Sequence, residues 1–198
     1  MVDHYFTSKP SSQDDQQIVI ADIRGVHVEL VTSSGVFSKS QVDEGSALLI
    51  ESAVVRPGSD VLDLGCGYGP VGIILAKAFP DSRFTLSDVN ERAVDLAKIN
   101  IRRDRIKNAK AIVSDGFKAI EGSFDAILLN PPQTAGRDLC ISLFEGSFYH
   151  LKPGGALQIV ARHNKGGSTL AKEMERIFGN VKTISRKSGY HVYLSEKR

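Results

Sequence analysis

The chain has 198 residues, 41% of them apolar, and its 25 Lys plus Arg against 23 Asp plus Glu leave a formal charge of +2. That length can bury one full core, and no apolar stretch nears the ~18 residues a membrane helix needs, so one soluble globular domain over 1–198 is expected. So small a net charge excludes a strong global field for nucleic acid; it leaves local patches at Arg102, Arg103, Arg105 and Lys107 or at Arg186 and Lys187, which also read as solvated helix ends and turns.

Residues 1–17 are polar and turn-rich and read as an arm. From Gln17 to Val31 apolar residues alternate on both sides of Arg24-Gly25, which predicts two strands joined by a tight turn. Asp43 can cap a helix carrying Ala47, Leu48, Ile50 and Val54 that ends before Pro57-Gly58, so 1–42 form an extension and 43–198 the main body. Strand and helix then alternate: strand 60–64, helix 70–79, strand 83–87, helix 90–101, and strands 109–113 and 124–129. A helix around 137–150, a turn at Lys152-Pro153-Gly154-Gly155, strand 156–161, a helix around 168–178 and a hairpin over 181–195 complete the chain. Strands separated by helices imply an α/β fold, a doubly wound, mostly parallel sheet covered on both faces. The last hairpin, turning at Lys187-Ser188-Gly189, is expected to set an antiparallel strand at the sheet edge.

The glycines at 65, 67, 69 and 72 follow the first main strand, where doubly wound sheets bind ligands and where backbone must approach them closely. Pro70 suits the first helical position. Gly67, Gly69 and Gly72 also spell G-x-G-x-x-G, so a dinucleotide site has to be weighed. Asp63 argues against it, because a pyrophosphate seeks a positive helix end without a neighbouring carboxylate, whereas the ammonium of S-adenosylmethionine would be attracted by one. Asp88 follows the next strand and can accept from two ribose hydroxyls. Asp115 follows the third and can accept from an adenine amino group, with the Gly116 N–H at the ring edge. Each of these acids also has the plainer reading of a helix cap.

Asn130-Pro131-Pro132 ends the apolar run AILLN. A planar nitrogen is a poor nucleophile while its lone pair is delocalised, and acceptors for both its N–H hydrogens return density to it. Asn130 offers a side-chain carbonyl and Pro131 a backbone carbonyl, on a segment that two prolines stiffen and strip of competing N–H groups. A rigid strand-to-loop turn is the alternative. The two cysteines, Cys66 and Cys140, lack CxxC spacing, so no zinc site is expected. With no signal pattern at the N-terminus, a reduced, cytoplasmic chain is expected.

In this order of motifs the chain resembles the class I S-adenosylmethionine-dependent methyltransferases over residues 40–198, with DLGCGYG as cofactor loop and NPP as the amino-methylating signature. HYFTSKP, GVFSKSQVDEGSALLIE and NPPQTAG narrow the resemblance to the RsmC-type ribosomal RNA guanine-N2 methyltransferases and their small single-domain, archaeal-type relatives. The resemblance implies a seven-stranded Rossmann-like sheet with its last strand antiparallel, and methyl transfer to the exocyclic amine of guanine in ribosomal RNA, on naked RNA or a subunit. It implies a cofactor site on Asp63, Gly65, Cys66, Gly67 and Gly69, continued by Asp88, Val89, Asp115, Gly116 and Asn130. Asn130, Pro131 and Pro132 are the expected catalytic residues. Many NPP proteins follow the second proline with an aromatic ring that stacks on the base, and here that position is Gln133. Phe37, with Tyr5 or Phe6 behind it, is the proposed substitute ring, and Gln133 itself can read a base edge. The same chemistry would suit a protein glutamine amide or adenine N6, and a non-catalytic cofactor-binding assembly module is the rival of a different class. No membrane or metal is expected as partner, and the chain is expected to be a monomer or homodimer. His163 and Arg162, after the fifth main strand, are left outside the catalytic set.

Overall fold

The computed structural model describes residues 16–33, 41–131 and 136–198. β1 (Gln16–Ile23) and β2 (Val26–Ser33) form the antiparallel hairpin, with Ile23 opposite Val26. A two-residue turn of this kind needs left-handed backbone at both positions, supplied by Arg24 (φ 56°) and Gly25 (φ 72°). The unusual conformation at Arg24 is offset by its side chain. Its Nη1 donates to the carbonyls of Ile50, Glu51 and Ala53 at 3.0, 3.0 and 3.2 Å, closing the C-terminal end of α1 (Glu44–Ser52), and its guanidinium lies over the Phe79 ring.

Seven strands make the main sheet: β3 (Asp60–Leu64), β4 (Arg83–Asp88), β5 (Ala109–Val113), β6 (Phe124–Leu129), β7 (Leu151–Arg162), β8 (Lys182–Lys187) and β9 (Tyr190–Glu196). Their order is β5-β4-β3-β6-β7-β9-β8, and β9 alone runs against the rest. Side-chain alternation divides the core between the two faces. Val61, Leu128 and Val160 face α1, α2 (Pro70–Ala78), α3 (Glu91–Arg103) and the hairpin. Leu62, Ile127 and Ile159 face α4 (Arg137–His150) and α5 (Ser168–Phe178). Asp43 caps α1 by accepting from the Ser46 N–H at 3.0 Å, and Asn90 caps α3 through the N–H groups of Arg92 and Ala93. No helix among the described residues is long and apolar enough to cross a membrane.

Two expectations are corrected. The strand expected at 156–161 begins at Leu151, opposite Phe124, and 152–155 bulge out before Ala126 meets Ala156. The bulge is held by the far end of the chain: Gly154 N–H donates to the Lys197 carbonyl at 2.7 Å, and Lys197 N–H to that of Gly155 at 2.9 Å. The antiparallel strand expected at the sheet edge lies one place inside it, because β9 carries the buried Val192, Tyr193 and Leu194 while β8 is polar and half-exposed and takes the edge.

Candidate active site

Strand register brings the sequence motifs together. Leu64 pairs with Ser87 on one side and with Leu129 on the other, so the glycine turn, Asp88 and Asn130 leave β3, β4 and β6 side by side at their carboxyl ends. Asp88 pairs in turn with Val113, which brings Asp115 to the same end of the sheet. With about 4.8 Å between strands, Asp88 and Asn130 flank the glycine turn at roughly 10 Å from each other. The strand order reverses between β3 and β6, which is where doubly wound sheets take ligands.

The turn itself is pinned by backbone. Gly65 and Cys66 N–H both donate to the Ser87 carbonyl, at 2.8 and 2.9 Å, and Gly67 N–H donates to Asp88 Oδ2 at 2.9 Å. Gly65, Gly67 and Gly69 all have positive φ (72°, 57° and 94°), and Gly65 stays exposed among buried neighbours. Gly72 is needed for a different reason: a Cβ there would lie 2.6 Å from Leu86 Cγ and 3.0 Å from Asp63 Oδ2.

Asp63 is buried on the α2 side of β3, where its Oδ2 accepts the Gly72 N–H at 2.8 Å. Burial pushes its carboxyl up to about 7, with the Gly72 bond opposing and the charge of Asp88 adding. Asp88 is also buried and raised by burial, although the N–H groups of Asn90, Gly67 and Val89 hold it back. No cationic side chain among the described residues lowers either acid. Two acids thus lie under the glycine turn without a matching positive charge among the described residues. Cys66 is buried, its thiol pushed up by burial, and Val89 is half-buried beside Asp88. Asp115 is exposed and paired with Lys118 at 2.6 Å, and Gly116 takes a left-handed φ of 56° beside it.

At the other turn, Asn130 Nδ2 donates to Ser46 Oγ at 3.1 Å and to Asp43 Oδ1 at 3.3 Å, while Pro131 is buried. Next to it opens a cavity of about 220 Å³, whose walls include Pro131, Cys140 and Thr169 and whose cations are Arg137, Arg162 and Lys165. Pro132, Gln133, Phe37, Tyr5 and Phe6 lie outside the described residues. The basic candidates at the periphery are partly neutralised: Arg103 pairs with Glu29 at 2.9 Å and Lys187 with Glu51 at 3.6 Å.

Two contributors escaped the motif reading. Asn100 is fully buried; its Nδ2 donates to the carbonyls of Val31 and Tyr68, both at 2.9 Å, and its Oδ1 accepts the Val31 N–H at 2.7 Å. It joins the hairpin to the glycine turn, and its signal is an asparagine at the apolar-stripe position after Ala93, Leu96 and Ala97. Ser46 carries no sequence signal for its contact with a residue 84 positions away.

Comparison with known proteins identifies the family. The family model described as methyltransferase small domain matches residues 27–194. The uncharacterized protein YbxB of Bacillus subtilis (strain 168) is 39% identical over 202 residues, covering 100% of both chains. The ribosomal RNA small subunit methyltransferase C of Shewanella amazonensis is 32% identical across 96% of this chain and 56% of its own. A solved Thermus thermophilus structure, the 16S rRNA N2 G1207 methyltransferase (RsmC) in complex with AdoMet and guanosine, superposes with a TM-score of 0.80 at 26% identity, over 96% of this chain and 52% of that one. The chain spans about half the length of these two RNA methyltransferases.

Proposed function

The chain belongs to the methyltransferase small domain family, and on that premise we propose that it methylates the exocyclic N2 amine of a guanine in ribosomal RNA, using S-adenosylmethionine. The observation that carries this reading is the register of Leu64 with Leu129, because it sets a cofactor-type glycine turn directly beside an Asn-Pro turn. The relatives named as ribosomal RNA methyltransferases, and the guanosine in the Thermus structure, support the choice of substrate. Residues 43–198 act as the catalytic core and 1–42 as its extension, and the protein works on RNA in the cytoplasm.

The residues present fit the cofactor. The buried acids Asp63 and Asp88, which no cation among the described residues matches, suit a cationic ligand, and the glycine turn leaves room for its close approach. Asp63 acts on the methionine ammonium, Asp88 on the ribose side, and Asp115 with Gly116 on the adenine. When bound, the cofactor supplies a methyl carbon made electrophilic by a positively charged sulfur. Asn130 Oδ1 and the Pro131 carbonyl accept the two N–H hydrogens of the amine and return its lone pair to the attacking nitrogen. The proton displaced from nitrogen passes along the Asn130 hydrogen bond to water. The base must leave its stack to reach this turn, and the cations at the neighbouring cavity, Arg162 and Lys165, suit the phosphates on either side of it.

The test is transfer of tritium from methyl-labelled S-adenosylmethionine into RNA and protein fractions of a deletion-strain lysate, comparing wild type with Asn130→Ala. Label in N2-methylguanosine from the wild type alone is the expected result. Label in protein, or full activity of Asn130→Ala with cofactor binding intact, overturns the proposal.

A further inference from the structure

We propose that Asp43 and Ser46, in the first turn of α1, are positioning residues that decide which end of the Asn130 amide faces the acceptor nitrogen. This rests on the reading of Asn130 as the acceptor of an amine N–H. An asparagine side chain has two ends of nearly equal size and opposite character. With Oδ1 forward it accepts from the amine; with Nδ2 forward, two donors meet and the amine is pushed away. Nothing in the Asn-Pro sequence selects between the two.

Helix α1 makes the selection. A carboxylate accepts and does not donate, so Asp43 Oδ1, 3.3 Å away, can face only the Nδ2 end. Ser46 Oγ takes the second Nδ2 hydrogen at 3.1 Å, which uses both hydrogens and leaves Oδ1 as the end that is turned outward. Asp43 is itself held, since the same oxygen accepts the Ser46 N–H as the helix cap. The first turn of α1 is seated against β9: a Cβ on Gly45 would lie 3.1 Å both from Asp43 Oδ1 and from Tyr190 Cε1, so a larger residue there would press on both. Arg162, at the end of β7, packs on that ring, with its guanidinium 4.5 Å over Tyr190 and 3.8 Å from Glu44. The acceptor oxygen is therefore oriented by a block drawn from β6, β7, β9 and α1, before any substrate arrives.

Two variants separate orientation from folding. Ser46→Ala removes one acceptor and raises helix propensity. Asp43→Ser keeps a capping oxygen for α1 and removes the carboxylate. Each is compared with the wild type and with Asn130→Ala in methylation of ribosomal RNA from a deletion strain and in thermal unfolding, and with the wild type in proton exchange of the Asn130 side-chain amide by NMR. Both variants are expected to lower kcat about tenfold or more, a loss within the range that misorientation causes, with KM for RNA and cofactor within about twofold. Asn130 amide exchange is expected to accelerate in both, and Ser46→Ala is expected to melt with the wild type.

Full kcat in both variants while Asn130→Ala is inactive overturns the proposal and leaves the site reading standing. A loss carried wholly by KM, or unchanged amide exchange, also overturns it. Full activity in Asn130→Ala defeats the underlying reading instead. If the wild-type protein does not methylate the RNA, that reading fails, and amide exchange alone decides whether Asp43 and Ser46 hold the side chain.

Discussion

Replacing Asp63 by Asn removes a charge from the core while keeping the shape and an acceptor for the Gly72 N–H. The wild-type carboxyl is held at about 7 instead of 3.8, chiefly by burial. Because folding raises this pKa, the native protein binds the proton more tightly than the unfolded chain does. The stabilising contribution is complete below pH 3.8, declines as pH rises from there, and is lost above about 7. At about 1.4 kcal/mol per pH unit, the whole span is worth up to about 4 kcal/mol. Ligand-free Asp63→Asn is therefore expected to match the wild type relative to its own baseline near pH 4 and to gain on it by up to about 4 kcal/mol at pH 8 and above. Urea unfolding of both proteins across that range measures the difference, in which titrating groups remote from Asp63 cancel and Asp88, whose charge Asp63 feels, does not. Cofactor binding reverses the preference: a cation beside Asp63 favours the ionised form, so wild-type affinity should rise between pH 5.5 and 8 while that of Asp63→Asn stays flat and weaker. Parallel stability curves for the two proteins would refute the argument, since they would mean that Asp63 ionises as easily folded as unfolded.

Gly72→Ala forces a methyl carbon to within 2.6 Å of Leu86 Cγ and should cost about 1–3 kcal/mol in denaturant unfolding, with weaker cofactor binding because α2 and Asp63 must separate. Asn100→Ala leaves three backbone groups of Val31 and Tyr68 without their partner and should cost about 3 kcal/mol; faster hydrogen exchange at the Val31 amide would locate the damage between the hairpin and the glycine turn. Lys165→Ala, at the cavity beside Pro131, should weaken RNA binding similarly for all sequences and reduce the slope of log affinity against log salt by about one, measured by filter binding over a salt series; an unchanged slope would remove Lys165 from the RNA path.

What could be read along the chain was what a few neighbouring residues decide. Arg24-Gly25 predicted the hairpin because a two-residue turn depends on local dihedrals, and Asp43 predicted the start of α1 because a cap acts on an N–H three residues away. Alternating strand and helix periods predicted the doubly wound sheet, and the glycine and Asn-Pro turns were legible as motifs for the same reason. Partnerships across long stretches of chain were not. That Asp43 also holds Asn130, 87 residues on, and that Asn100 bridges Val31 and Tyr68, follow from strand order and register, which no local pattern encodes. The same holds for the place of β9 inside the edge and for the bulge that Lys197 retains in β7. The sequence by itself determined which chemical groups the protein possesses and the element on which each one rides. Only the tertiary structure decided that Leu64 lies against Leu129 and that the Asn130 amide nitrogen meets Asp43 and Ser46, because those outcomes depend on contacts that exist only once the elements have packed together.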